Sequence, residues 1–251
     1  MALSQRQKLT IVSLVFYWPA LFILAHIPIP QMVRKADVSD KGLHFLAYLI
    51  LVFLLWSAIS PHSKVNWRKA AVWWVLLVTV WYGVIDEVLQ SYVAGRSTDI
   101  MDFVANLGGT LTGLIVLSLF TFWPAFLVVT GITIFGLTNI SQANLADLLP
   151  VTNTAFHFSA YSVFTLLWIQ CMQDLLLLNP PQRRWLIVAS SLPIGFVLAV
   201  KLGSFVLGRS FAITDVIVST IGVAAVVSLL LLIALLRQRL TKAQKLPPTD
   251  D

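Results

Sequence analysis

Eight apolar runs, parted by short polar joints, cover roughly residues 10–28, 43–60, 70–92, 100–122, 125–140, 156–178, 185–206 and 213–236. Most approach the roughly 20 residues that a helix needs to cross a bilayer. The pattern predicts an all-α fold, a polytopic transmembrane bundle of eight helices. Two neighbouring runs break their own apolarity. Asp86, Glu87 and Gln90 stand late in the third, and Asp102 and Asn106 stand early in the fourth, one helical turn apart. An ionisable side chain costs about 2.5–3.5 kcal/mol at the centre of a membrane helix and less toward the interface. The turn Gly95-Arg96-Ser97 joins the two runs, so these helix ends are expected to fold against each other and form a polar site.

Sliding the chain against itself by 113 residues aligns two halves without a gap. His44-Phe45-x-Ala47-Tyr48 falls on His157-Phe158-x-Ala160-Tyr161, Gly95-Arg96-Ser97 on Gly208-Arg209-Ser210, Asp102 on Asp215 and Gly109 on Gly222. The expectation is a tandem repeat. Residues 1–123 form a four-helix copy with the polar site, 124–240 a degenerate second copy, and 241–251 a disordered cytoplasmic tail. Four helices per copy is an even number, so the repeats are parallel. On this alignment Asp86, Glu87 and Gln90 become Ala199, Val200 and Gly203, and Asn106 becomes Ser219. Polar residues shared by both copies point to the common fold; those of the first copy alone mark a specialised site.

Hydrophobic residues make up 58% of the chain and charged ones 11%, with a mean hydropathy of +0.86, far from soluble composition. The net charge of +6 therefore bears on membrane orientation, and nucleic acid is not an expected partner. With the N-terminus in the cytoplasm, eleven of the seventeen basic residues lie on the inner side, from Arg6 and Lys8 to Lys242 and Lys245. The expected location is the cytoplasmic membrane, with both termini inside. Lys201 and Arg209 are among the six basic residues placed toward the outer side. Cys171 has no cysteine partner in the chain and reads as apolar filling.

In this topology three groups reach the outer side. Asp40, Lys41, His44 and Tyr48 open the second helix, the last three of them on one face. Asp86, Glu87 and Gln90 end the third, and Asp99, Asp102 and Asn106 begin the fourth. Asp86 and Glu87, the latter the chain's only glutamate, are either braced by ion pairs to Lys41 or Arg96 or take part in binding or catalysis. Their directions differ by about 100 degrees, so one is expected to bind and the other to brace. Arg96 either anchors its turn or binds ligand. Asp99 and Asp102 have an ordinary use as helix N-terminal carboxylates, and Asn106 can hydrogen-bond Gln90 across helices. His44 is read as a fold-level hydrogen bond or as a proton carrier or metal ligand. No cofactor is expected, and a divalent metal stays open. No nucleophile elbow, phosphate loop or metalloprotease motif is present.

The series Asp40-Lys41-x-x-His44-Phe45-x-x-Tyr48, then Asp86-Glu87-x-x-Gln90, then Arg96, Asp102, Asn106 and Gly109 resembles the VanZ-like family of membrane proteins, over roughly residues 10–122. The resemblance implies a cell-envelope protein associated with resistance to the lipid-tailed glycopeptide teicoplanin. It implies no catalytic residue set. The leading expectation is a polar pocket, open to the outside, that binds a lipid headgroup or a lipid-linked envelope precursor; no protein partner is indicated. The alternatives are an intramembrane hydrolase or transferase acting on a lipid phosphate, with Glu87, Asp86 and His44 as its catalytic groups, and a small proton-coupled transporter.

Overall fold

The computed structural model describes residues 3–27, 39–93, 99–139, 150–176, 179–209 and 212–243. Among these residues the structure is all-helical, with eight helices: α1 Gln5–His26, α2 Asp40–Ile59, α3 Ala70–Gln90, α4 Ile100–Leu119, α5 Phe122–Asn139, α6 Pro150–Leu176, α7 Arg183–Val206 and α8 Ile213–Ala243. All but α6 are long and apolar enough to span a membrane. The first half of α6 carries Thr152, Asn153, Thr154, His157 and Ser159, which dilute it. The chain is a polytopic helical membrane protein, as its apolar runs predict.

Helix starts follow local capping chemistry. The hydroxyls of Ser4 and Ser39 accept from the backbone N–H groups of Gln7 and Gly42, and the Asp99 carboxylate accepts from Met101 at 2.9 Å. Each satisfies a backbone donor that the first helical turn leaves without a partner. Polar first turns begin α1 and α6 several residues before their apolar runs, and α8 continues through Ala243 into the first residues of the expected tail. The rest of that tail, from residue 244, lies outside the described residues.

The chain divides into two compact units, Met1–Leu148 and Leu149–Asp251. In the first, α2 is central and touches α1, α3, α4 and α5, with its most extensive contact to α4. Leu49, Leu51 and Val52 of α2 are fully buried, so α2 is apolar nearly all round, as a buried helix should be. Its approach to α4 is unusually close. A Cβ placed on Gly109 would lie 2.1 Å from the carbonyl oxygen of Phe45. The repeat assigns α5 to the second copy, yet α5 packs in the first unit. There Phe122 and Phe126 meet Phe53 of α2 at ring-centroid distances of 5.6 and 5.1 Å. In the second unit α6, α7 and α8 pack against one another, and Gly222 meets the Phe158 carbonyl much as Gly109 meets that of Phe45.

Candidate functional site

The close α2–α4 contact carries polar residues from both helices to one end of the first unit, where the last turn of α3 joins them. His44 and Tyr48 of α2, Asp86, Glu87 and Gln90 of α3, and Asp102 and Asn106 of α4 are all buried. Glu87 lies three residues from the end of α3 and Asn106 six residues into α4. At about 1.5 Å per residue these are depths of about 4.5 Å and about 9 Å below the helix ends. The cluster therefore begins where the apolar part of the helices stops and runs inward from there.

Its hydrogen bonds are specific. Asn106 Oδ1 lies 3.1 Å from His44 Nδ1; with Nδ1–H donating to that oxygen, Nε2 keeps its lone pair. On α3 the side chain of Gln90 donates to Asp86 Oδ2 at 3.0 Å, the i to i+4 pairing that the shared helix face predicts. At the rim Lys41 donates to Asp99 Oδ2 at 2.7 Å and lies 3.9 Å from Asp102 Oδ1. The Lys41 ammonium and the Met101 N–H hold the exposed Asp99 carboxyl below the usual aspartate range. Asp40, with its side chain 43% exposed, faces His44 Nε2 at 3.8 Å.

Other polar atoms here are left over. Both carboxylate oxygens of Glu87, the Tyr48 hydroxyl and Asn106 Nδ2 are buried without a hydrogen-bond partner among the described residues. Tyr48 and Asn106 both approach α3 over Gly83, where an added Cβ would stand 3.5 Å from the hydroxyl and 3.6 Å from Nδ2. Gly83 is one helical turn before Glu87, so these two groups approach α3 beside the turn that carries the carboxylates. His44, Asp86 and Glu87 each bring one donor atom within 4.8 Å of the others, and Asp40, His44 and Asp102 form a second such group. Buried polar groups are ordinarily satisfied. Here several are not, and three buried carboxylates share the space with no buried lysine or arginine among the described residues of this unit.

The structure thus brings together Asp40, His44, Tyr48, Asp86, Glu87, Gln90, Asp102 and Asn106, with Lys41 at the edge. Lys41 braces Asp99 and Asp102. Asp99 takes the capping role, and Asp102 turns into the cluster. The described partner of Asn106 is His44. Arg96 lies outside the described residues. Two contributors escaped sequence reasoning. His26, at the end of α1, places Nδ1 3.9 Å from Asp86 Oδ1; a histidine ending an apolar run on the same membrane side was the available signal. Lys201 of α7, which the charge pattern sets toward the outer side, stands near the end of its helix, but the pattern gave no sign of its burial. It is only 4% exposed, and its ammonium donates to Asp215 Oδ2 at 2.7 Å.

Residues 4–121 match the VanZ/LLP1 family model. Over this segment the chain is VanZ-like. All the buried polar residues of the first-unit cluster fall within the VanZ-like segment, and the Lys201–Asp215 pair falls outside it. No curated protein and no solved structure matches the chain.

Proposed function

We propose that the VanZ-like unit holds the polar headgroup of a membrane lipid or lipid-linked envelope component, and that it binds this group without transforming it. One observation carries the reading: buried polar atoms without partners gather near the ends of membrane-length helices. Leaving such atoms unsatisfied costs about 1–3 kcal/mol each, more for charged groups, so a ligand that supplies partners gains that amount. Glu87 and Asp102 accept, Tyr48 and Asn106 Nδ2 donate, and Lys41 at the rim faces a phosphate. Carboxylates repel a bare phosphate, so the bound headgroup arrives with a positive charge, carried as an ammonium or as a metal ion.

The same reading places the protein in the cytoplasmic membrane with both termini inside and the cluster open to the outer leaflet. Basic residues on the expected inner side, Arg6, Lys64, Arg68, Lys69, Arg183 and Arg184, support that orientation. Sequestering an envelope lipid there gives altered teicoplanin susceptibility as its phenotype.

The test is purified protein in lipid discs incubated with polyprenyl phosphates and common phospholipids. Saturable binding without product, lost in Glu87→Gln, is the expected result. Turnover lost in Glu87→Gln would establish an enzyme in its place. Proton-coupled flux in vesicles would establish a transporter.

A further inference from the structure

The second unit shows how a corresponding set of packed helices neutralises its part-buried acid, Asp215. From Val75 onward, the buried positions of α3 are Val75, Thr79, Gly83, Asp86, Glu87 and Gln90. Those of α7 are Ala189, Pro193, Val197, Val200, Lys201 and Ser204, each 114 residues later. The inward face of α7 is therefore displaced by one residue from the 113-residue register that matches the other helices, and Lys201 stands at the position of Glu87. Its ammonium and the Asn153 amide satisfy both oxygens of Asp215, which corresponds to Asp102. His157 Nε2 lies 3.5 Å from the same carboxylate, and Ser219 Oγ lies 3.3 Å from Nδ1, the counterpart of Asn106 Oδ1 at 3.1 Å from the Nδ1 of His44. At the position where the second unit sets Lys201, the first unit has a carboxylate, Glu87.

We infer that the first unit binds a divalent metal ion through His44, Asp86 and Glu87, with Asp102 beside them, in the place that Lys201 fills in the second unit. The inference deepens the headgroup reading, on which it rests for its purpose: the metal bridges the carboxylates to the lipid phosphate. The ion binding itself needs no lipid. One imidazole nitrogen and two carboxylates suit a hard to borderline ion such as Mn2+ or Zn2+. Tetrahedral ligands at about 2.1 Å from such an ion stand about 3.4 Å apart. The three donor atoms lie within 4.8 Å of one another, so small side-chain rotations close the shell. With Nδ1–H donating to the Asn106 oxygen, His44 offers Nε2 to the ion, the arrangement that outer-shell carbonyls favour in metal sites. The two carboxylate oxygens of Glu87, 92% buried and without hydrogen bonds among the described residues, gain a partner that nothing else described supplies.

The test uses the full chain, stripped with chelator and reconstituted in lipid discs without added polyprenyl lipids. Mn2+ is followed by electron paramagnetic resonance and Zn2+ by calorimetry. One ion per chain is expected, with the Mn2+ hyperfine pattern altered on binding. Glu87→Gln and His44→Ala weaken binding at least about 100-fold, and Asn106→Leu weakens it about 10- to 100-fold. Glu87→Lys reproduces the arrangement of the second unit, so it abolishes binding while keeping a cooperative melt, which separates loss of the site from loss of the fold. Lys201→Met leaves the stoichiometry at one. Absence of saturable Mn2+ or Zn2+ binding in the parent protein overturns the inference, as does binding that survives both Glu87→Gln and Glu87→Lys. Ion binding without lipid binding refutes only the headgroup reading. Lipid binding with no ion refutes only the metal.

Discussion

Gly109→Ala is a perturbation that touches no side chain of the cluster and should still dismantle it. The new Cβ would sit 2.1 Å from the Phe45 carbonyl oxygen and 3.0 Å from the Leu49 nitrogen. A carbon and a carbonyl oxygen in contact need about 3.3 Å, so α2 and α4 must separate locally by about 1.2 Å. The His44–Asn106 bond, 3.1 Å long and one turn away, would then stretch to roughly 4 Å, beyond hydrogen-bonding range. Overpacking of this kind costs about 1–3 kcal/mol. A paired comparison isolates the effect: at Gly222 of the second unit the equivalent contact is 2.7 Å, so Gly222→Ala forces a smaller separation and leaves the first-unit cluster alone. The assay is thermal unfolding in lipid discs, together with Mn2+ binding. Gly109→Ala should lower Tm and weaken binding about 10- to 100-fold, as loss of an outer-shell partner does; Gly222→Ala should lower Tm less and leave binding intact. If Gly109→Ala melts and binds like the parent, the α2–α4 contact does not position the site and the reasoning fails.

Lys201→Met leaves the part-buried Asp215 without its lysine. Breaking a fully buried pair costs about 3–5 kcal/mol, so a somewhat smaller loss is expected here, and adding Asp215→Asn should recover much of the lost Tm. Glu87→Gln in metal-free protein should melt at or above the parent, because it removes one of several crowded carboxylates; a clear drop in Tm would mean that Glu87 is already neutralised by the fold. Asp99 should titrate below ordinary aspartate and return toward it in Lys41→Ala, as followed by carbon-13 NMR of the carboxyl. Because its folded pKa lies below its unfolded one, its stabilising contribution is present above about pH 4 and is lost as pH falls through the lower, folded value. A C-terminal reporter should be active only in the cytoplasm; a periplasmic or extracellular signal would reverse the proposed orientation.

Much of this was legible in the chain because membrane helices need long apolar runs, and polar residues within such runs stand out. Asp86, Glu87, Asp102 and Asn106 did so, and the four-residue step from Asp86 to Gln90 puts the two on one helix face, where they bond. The division of labour between Asp99 and Asp102 was not legible: either could cap α4, and only the fold shows Asp99 doing so while Asp102 turns inward. The role of Lys201 was hidden for a different reason. Self-alignment at constant offset sets Val200 opposite Glu87, whereas the buried face of α7 runs one residue later, and one residue on a helix is a rotation of about 100 degrees. Letter matching cannot register that rotation. His26 was missed because one histidine at a helix end carries no periodic signal.

The central claim is that the buried acids of the VanZ-like unit form a ligand site rather than a structural knot. Native mass spectrometry of the protein released gently from membranes tests it most directly, comparing the parent with His44→Ala and Glu87→Lys. The account predicts a defined phosphate-bearing lipid retained by the parent and absent from both variants. An identical lipid profile across all three would contradict it.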